Sequence, residues 1–323
     1  MNPRSTFGTI LVVIGLIGLY YVFTNDGKPP LEAMKNYFTS EINREKSVDI
    51  AGIRNIEVES NNLDVHVVRG NGQQAVLTLQ GRASKPIIND LSFDYEKEDD
   101  TLHIALKGKT GFQFGFSWSS VKLTVALPEH AWQDLDIVVD SGDIQLDNQQ
   151  FANVNIQTDS GDIEAKRLAV TDKLELSIDS GDAELEEVSA QTIDLEADSG
   201  DITVKDYTAQ RIDFSVGSGD VFIGQGTAAL HGSTSSGDIT VEAEELLYDS
   251  ELEASSGDVT VELDEDPRSL FVEFEAGSGD GVIRKDGFTY EEGSRGADLI
   301  RGSFGDGDIR LQVTTGSGDF VLK

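Results

Sequence analysis

From Leu135 onward, apolar residues stand at every second position on both sides of a recurring Ser-Gly-Asp turn. Two, four and six places before the serine come Val139, Ile137 and Leu135, then Thr158, Ile156 and Val154, then Ile178, Leu176 and Leu174. The next copies give Ala197, Leu195 and Ile193, then Val216, Phe214 and Ile212. One and three places after the aspartate come Ile144 and Leu146, Ile163 and Ala165, Ala183 and Leu185, Ile202 and Val204, Val221 and Ile223. Between them stand Asp136, Asn155, Gln157, Glu164, Glu175, Glu184, Asp194, Glu196 and Thr203. This period of two predicts strands with one face buried and one in water.

The turn aspartate recurs at Asp143, Asp162, Asp182, Asp201, Asp220, Asp238, Asp258 and Asp280, and in altered settings at Asp308 and Asp319. Each unit of about 19 residues is a strand, a glycine turn, a second strand and a looser connection, which cannot bury its apolar face unless neighbours stack. An antiparallel sandwich or meander also uses short, regularly spaced strands. The recurrence of Gly and Asp at one register favours stacked parallel coils. The expected fold is therefore all-β, a parallel β-solenoid (β-helix-like) over residues 135–323, whose eight or more coils make a rod of roughly 40 Å at ~4.8 Å per coil. After Asp258 the spacing breaks, and residues such as Phe288, Tyr290, Gly293, Gly296 and Gly302 read as an atypical C-terminal cap.

Residues 48–134 read as a β region continuous with the solenoid. Ile56, Val58, Val65, Val67 and the run Val76–Leu79 alternate around Asn- and Gly-containing bends, with Ser60-Asn61-Asn62-Leu63-Asp64 as a degenerate early turn. Leu102, Ile104 and Leu106 form another strand, Phe112, Phe114, Phe116 and Trp118 read as the buried face of a further one, and Val121 to Leu127 run to a stop at Pro128.

Residues 7–23 carry no charge and approach the length needed to span a membrane as one helix. Bulky Tyr20, Tyr21, Val22 and Phe23 occupy the zone where a signal peptide would be cut, so residues 1–24 are expected to be an uncleaved N-terminal membrane anchor. Residues 25–47 read as a polar spacer, with a helix expected from Leu31 to Arg44 because Leu31, Met34, Tyr37 and Phe38 share one side. The flanking charges, Arg4 against Lys28, Lys35, Arg44 and Lys46, do not by themselves place the large domain outside.

Charge narrows the partners. The chain of 323 residues holds 25 Lys and Arg against 59 Asp and Glu, a formal charge of −34, which argues against nucleic acid as a partner. No cysteine is present, which excludes disulfides and thiolate chemistry. His66, His103, His130 and His231 show no metal-ligand spacing, and no Gly-x-Ser-x-Gly nucleophile turn occurs. Parallel β-helices can carry a glycosidase carboxylate pair, so a polysaccharide-active enzyme stands as an alternative, although carboxylates are too numerous here to single out a pair.

The repeated turn invites a cation. Stacking sets its carboxylates in columns, where like charges raise each other's pKa or recruit counterions. The calcium candidates are Asp140, Asp143, Asp159, Asp162, Asp179, Asp182, Asp198 and Asp201. Against calcium, the first aspartate becomes Gly217, Ser235, Ser255 and Gly277 in later copies, and the Gly-Gly-x-Gly-x-Asp repeat is absent. A structural corner with diffuse counterions is the stronger reading, with no catalytic or cofactor residues assigned.

The Ile56-Glu57-Val58 unit with Asp64-Val65, the Val125-Ala126-Leu127-Pro128 segment and the serial Ser-Gly-Asp-Ile/Val turns resemble bacterial adhesin-type proteins of the toastrack β-strand repeat family, which include LiaG-like membrane-anchored proteins of cell-envelope stress operons. The resemblance covers about residues 50–323. It implies a β-helix-like fold, a place in the cell envelope and an adhesive or stress-accessory role without catalysis. The expected protein is single-pass in the cell membrane, its C-terminal domain extracytoplasmic. Its partner would be an envelope component or another membrane protein that it regulates.

Overall fold

A computed structural model describes residues 39–84, 88–89, 91–107 and 119–323. The expected anchor and the aromatic row Phe112–Trp118 lie outside them. Every named element of the described residues is a strand. The expected helix Leu31–Arg44 is corrected at its end: Thr39–Asp49 is a strand paired antiparallel with Gln74–Ser84, because Ile42 and Val48 turn into the core along a strand edge.

The strands before the glycine turns hydrogen-bond in parallel into one wall, and those after the turns into a second. Along the first wall Val58, Ile137, Ile156, Leu176, Leu195 and Phe214 stand in register, each beside the next. Along the second, Val67, Leu146, Ala165, Leu185, Val204, Ile223, Val241 and Val261 do the same. All fourteen are buried between the walls. Neighbouring coils thus shield each other's apolar side, each large side chain contributing up to about 1.5–3 kcal/mol before the entropy of ordering is counted.

The walls hold eleven coils among the described residues, and their order in space departs from the order in the chain. The coil 55–69 lies between the strands Thr101–Lys107 and Ser119–Leu127 on one side and coil 134–151 on the other. From 134 to 263 the coils follow one another. Then coil 309–322 inserts between coil 250–263 and coil 270–283. The first coil of the described chain and the last are each second from an end.

The outermost coils are covered by antiparallel strands: Ser92–Glu98 on Thr101–Lys107 at one end, Leu299–Phe304 and then Thr289–Gly293 beyond Leu270–Ser278 at the other. These outer edges carry Glu96, Lys97 and Glu98, or Glu291 and Glu292, side chains that discourage pairing with another sheet.

Candidate functional site: stacked corners and outer rows

The Ser-Gly-Asp turns stack into one edge of the rod. Gly142 donates its N–H to the Ser160 carbonyl at 2.9 Å, and Ile144 donates to the Asp162 carbonyl at 2.8 Å, a pattern the later coils repeat. The aspartate N–H between them points back and finds a side chain. Asp143 donates to Asp64 Oδ1 at 3.2 Å, Asp162 to Asp143 at 3.1 Å, Asp182 to Asp162 at 2.9 Å and Asp201 to Asp182 at 2.8 Å. The series continues through Asp220, Asp238 and Asp258, then in spatial order to Asp319 and Asp280. Each carboxylate therefore closes the next coil's turn, and Asp64 belongs to the column as the degenerate early copy. Asp308 does not: it pairs with Ser269 instead, its carboxylate accepting from Ser269 Oγ at 3.0 Å.

Glycine is required at the corner by its neighbours. Gly200 has φ +132°, and a Cβ there would lie 1.9 Å from the Gly181 carbonyl oxygen. The coils approach more closely than any side chain allows.

A second corner follows a few residues later, where Asn148, Arg167, Glu187, Asp206 and Gln225 adopt φ of 51° to 58°. It breaks the alternation, so that Gln149, Leu168, Val188 and Tyr207 turn inward, followed by Phe151, Val170 and Ala209. The looser connection read from the sequence is in its first half a third side of the coil. The signal was available: apolar residues recur six and eight places after the turn aspartate, but across a parity break that a search for strict alternation discards.

Of the calcium candidates, Asp143, Asp162, Asp182 and Asp201 accept the backbone bonds just described. Asp140, Asp159, Asp179 and Asp198 are exposed beside them, and Asp140 accepts from Asn61 Nδ2 at 2.7 Å. Among the described residues no group of three or more His, Cys, Asp or Glu could hold a metal ion.

The outer rows bring carboxylates into register. Glu175, Asp194 and Asp213 face one another across adjacent coils, bridged by Lys173 at 2.9 Å to Glu175 and 2.7 Å to Asp194. Those bonds, Asp194 first, raise the Lys173 pKa. Lys166, between Glu164 and Glu186, is raised in the same way by its hydrogen bonds to them. Asp136 is pushed up by desolvation, with Glu59 adding to the effect and the Asn155 hydrogen bond opposing it. The histidines do not converge. His66 lies on the second wall, its pKa lowered by burial and by Lys122, while His103 lies on the first and contacts Glu57 at 2.6 Å. His130 packs edge-on against Trp132, and His231 sits beside Glu251.

A family model described as Toastrack DUF4097 matches residues 53–323. Among solved structures, the chain is similar to a "putative adhesin" from Parabacteroides merdae (11% identity, TM-score 0.52, covering 88% of this chain and 96% of that one). It is also similar to a "putative lipid binding protein" from Parabacteroides distasonis (19% identity, TM-score 0.52, 88% and 97%). A "putative adhesin" from Bacteroides fragilis aligns at 16% identity and TM-score 0.44, covering 88% and 97%. The first two likenesses concern the fold. No curated protein matches.

Proposed function

Because the chain belongs to the Toastrack DUF4097 family, we propose that it is a non-enzymatic surface protein, tethered by residues 7–23 and displaying its acidic solenoid outside the membrane in an adhesin-type or LiaG-like envelope-stress role. The observation that supports this reading most is the division of labour around the coil. The repeated glycines and turn aspartates are consumed in closing it, and what remains for a partner is the pair of outer walls with their rows of charge. Such surfaces recognise by extent and charge pattern, as solenoids do. The separated histidines and the engaged turn carboxylates give no support to the polysaccharide-enzyme alternative.

Protease added to intact cells tests the placement. Digestion of the solenoid supports it, and full protection overturns it. Crosslinking in intact cells then separates the roles: one dominant membrane protein indicates regulation, and wall or matrix material indicates adhesion. Cleavage of envelope glycans by the purified chain would replace the proposal with the enzyme.

A further inference from the structure

The third side of the coil does not run the length of the rod. Its corner residues stop at Gln225; in the next two coils the corresponding chain leaves the wall at Ala243 and Leu263 without a residue of positive φ. Where the side stops, a half-open recess of about 590 Å³ remains. Its lining includes Glu242, Glu244, Glu245, Glu262 and Asp264, together with Tyr207.

Tyr207 is the last large inward side chain of the third side. It is 4% exposed, and its ring occupies the space that a side chain on Gly226 would need, 2.4 Å from a Cβ built there. Its hydroxyl has no hydrogen-bond partner among the described residues and is not among the buried unpaired atoms, so although the ring is buried the oxygen stays reachable by solvent or a ligand, and Tyr207 lines the recess. Burial also pushes its pKa up to about 12, so the group stays neutral and offers both an acceptor oxygen and a proton. Around it, Glu242, Glu244, Glu245 and Asp264 form no ion pair with any described residue. Glu262 already holds an alkylammonium, the Lys323 Nζ at 2.8 Å. Leu247, 48% exposed, adds an apolar wall.

We propose that this recess binds an organic polycation of the polyamine class, with primary ammonium groups joined by short methylene chains. Ammonium N–H groups would be shared between the rim carboxylates and the Tyr207 hydroxyl, and the methylenes would lie against Leu247 and Ala243. A divalent metal fits less well, because the carboxylates line a wide opening and do not close into a metal-binding group. The proposal does not depend on which side of a membrane the solenoid occupies.

Calorimetric titration of the full-length protein with spermidine tests it. The expected result is saturable binding, absent with tetramethylammonium, which has no N–H to donate. The paired change Glu242→Gln and Glu244→Gln, at outward positions, should weaken it about tenfold or more, and Tyr207→Phe should weaken it severalfold. The change Asp159→Asn with Asp179→Asn removes the same charge at the Ser-Gly-Asp edge and should leave it unchanged. Unsaturable uptake, equal loss in both paired variants, or equal competition by magnesium would mean diffuse counterion attraction and overturn the site. If Tyr207→Phe fails to fold, the two paired variants still decide the matter.

Discussion

Two corners of the same coil both place a residue at positive φ, yet they use different amino acids. At the first, each of the nine coils from residue 134 onward carries glycine, and a Cβ on Gly200 would overlap the carbonyl of the coil below. At the second, Asn148, Arg167, Glu187, Asp206 and Gln225 also have positive φ, but of 51° to 58°, with exposed side chains. Left-handed backbone alone costs an ordinary residue about 1–2 kcal/mol, which a stacked coil can absorb. A steric collision between backbones cannot be absorbed, because the approach is fixed by the hydrogen bonds of the walls. Residue choice at the first corner is therefore set by what lies beneath it together with a φ of 132° to 158° that side chains rarely adopt, whereas the φ of 51° to 58° at the second is open to polar residues.

The strongest way to break this comparison is Gly200→Ala. Strain and overlap together should cost roughly 3 kcal/mol or more, seen as a large fall in the urea midpoint or as failure to fold. Survival of that variant at wild-type stability would show that the coils can part at the corner. Next in size is Asp182→Ala, which leaves the Asp201 N–H without its acceptor and should cost about 1–3 kcal/mol. Asp182→Asn keeps a side-chain oxygen and should cost less; equal losses for Ala and Asn would mean that the charge, not the N–H bond, matters.

At the second corner the sign should reverse. Glu187→Gly relieves left-handed strain but adds chain entropy to the unfolded state, so a gain of up to ~1 kcal/mol or no change is expected by denaturation. A clear loss would mean that the Glu187 side chain contributes to the wall.

The smallest effect sharpens the contrast between an aspartate inside the corner and one on an outer row. The Asp136 pKa is raised in the folded protein, so its contribution to stability is present below the unfolded value of 3.8 and is lost as pH rises through the folded value. Asp136→Asn should then stabilise slightly at pH 7, within roughly 0.5 kcal/mol, and give no gain below pH 3.8. Equal stabilisation at both pH values would rule out ionisation as the cause.

The contrast also explains which parts of the molecule were legible. The first corner could be read because backbone crowding forces one residue type at one register, as Gly142, Gly161, Gly181 and Gly200 show. The second was hidden because five different polar residues satisfy it. The turn aspartates could be read as a column at a structural corner, with calcium as the weaker alternative, but not the bonds that they make; the N–H groups whose bonds their carboxylates accept belong to neighbouring coils and cannot be seen in a single unit. The recess at Tyr207 was invisible for a similar reason, since it is defined by where the third side stops.

The sequence alone determined the coil: its period, its two walls, its inward positions from Leu135 to Ile223 and its Gly-Asp corner. These follow from local alternation and local sterics, which each unit carries in full. Tertiary structure decided the stacking order at the ends, where coil 55–69 and coil 309–322 are each held between two others. It also decided the antiparallel covers and the neighbour that each turn carboxylate serves. Every coil presents nearly the same backbone edge, so local pattern does not say which coil it meets; packing of the whole chain, with its outer edges covered, makes that choice.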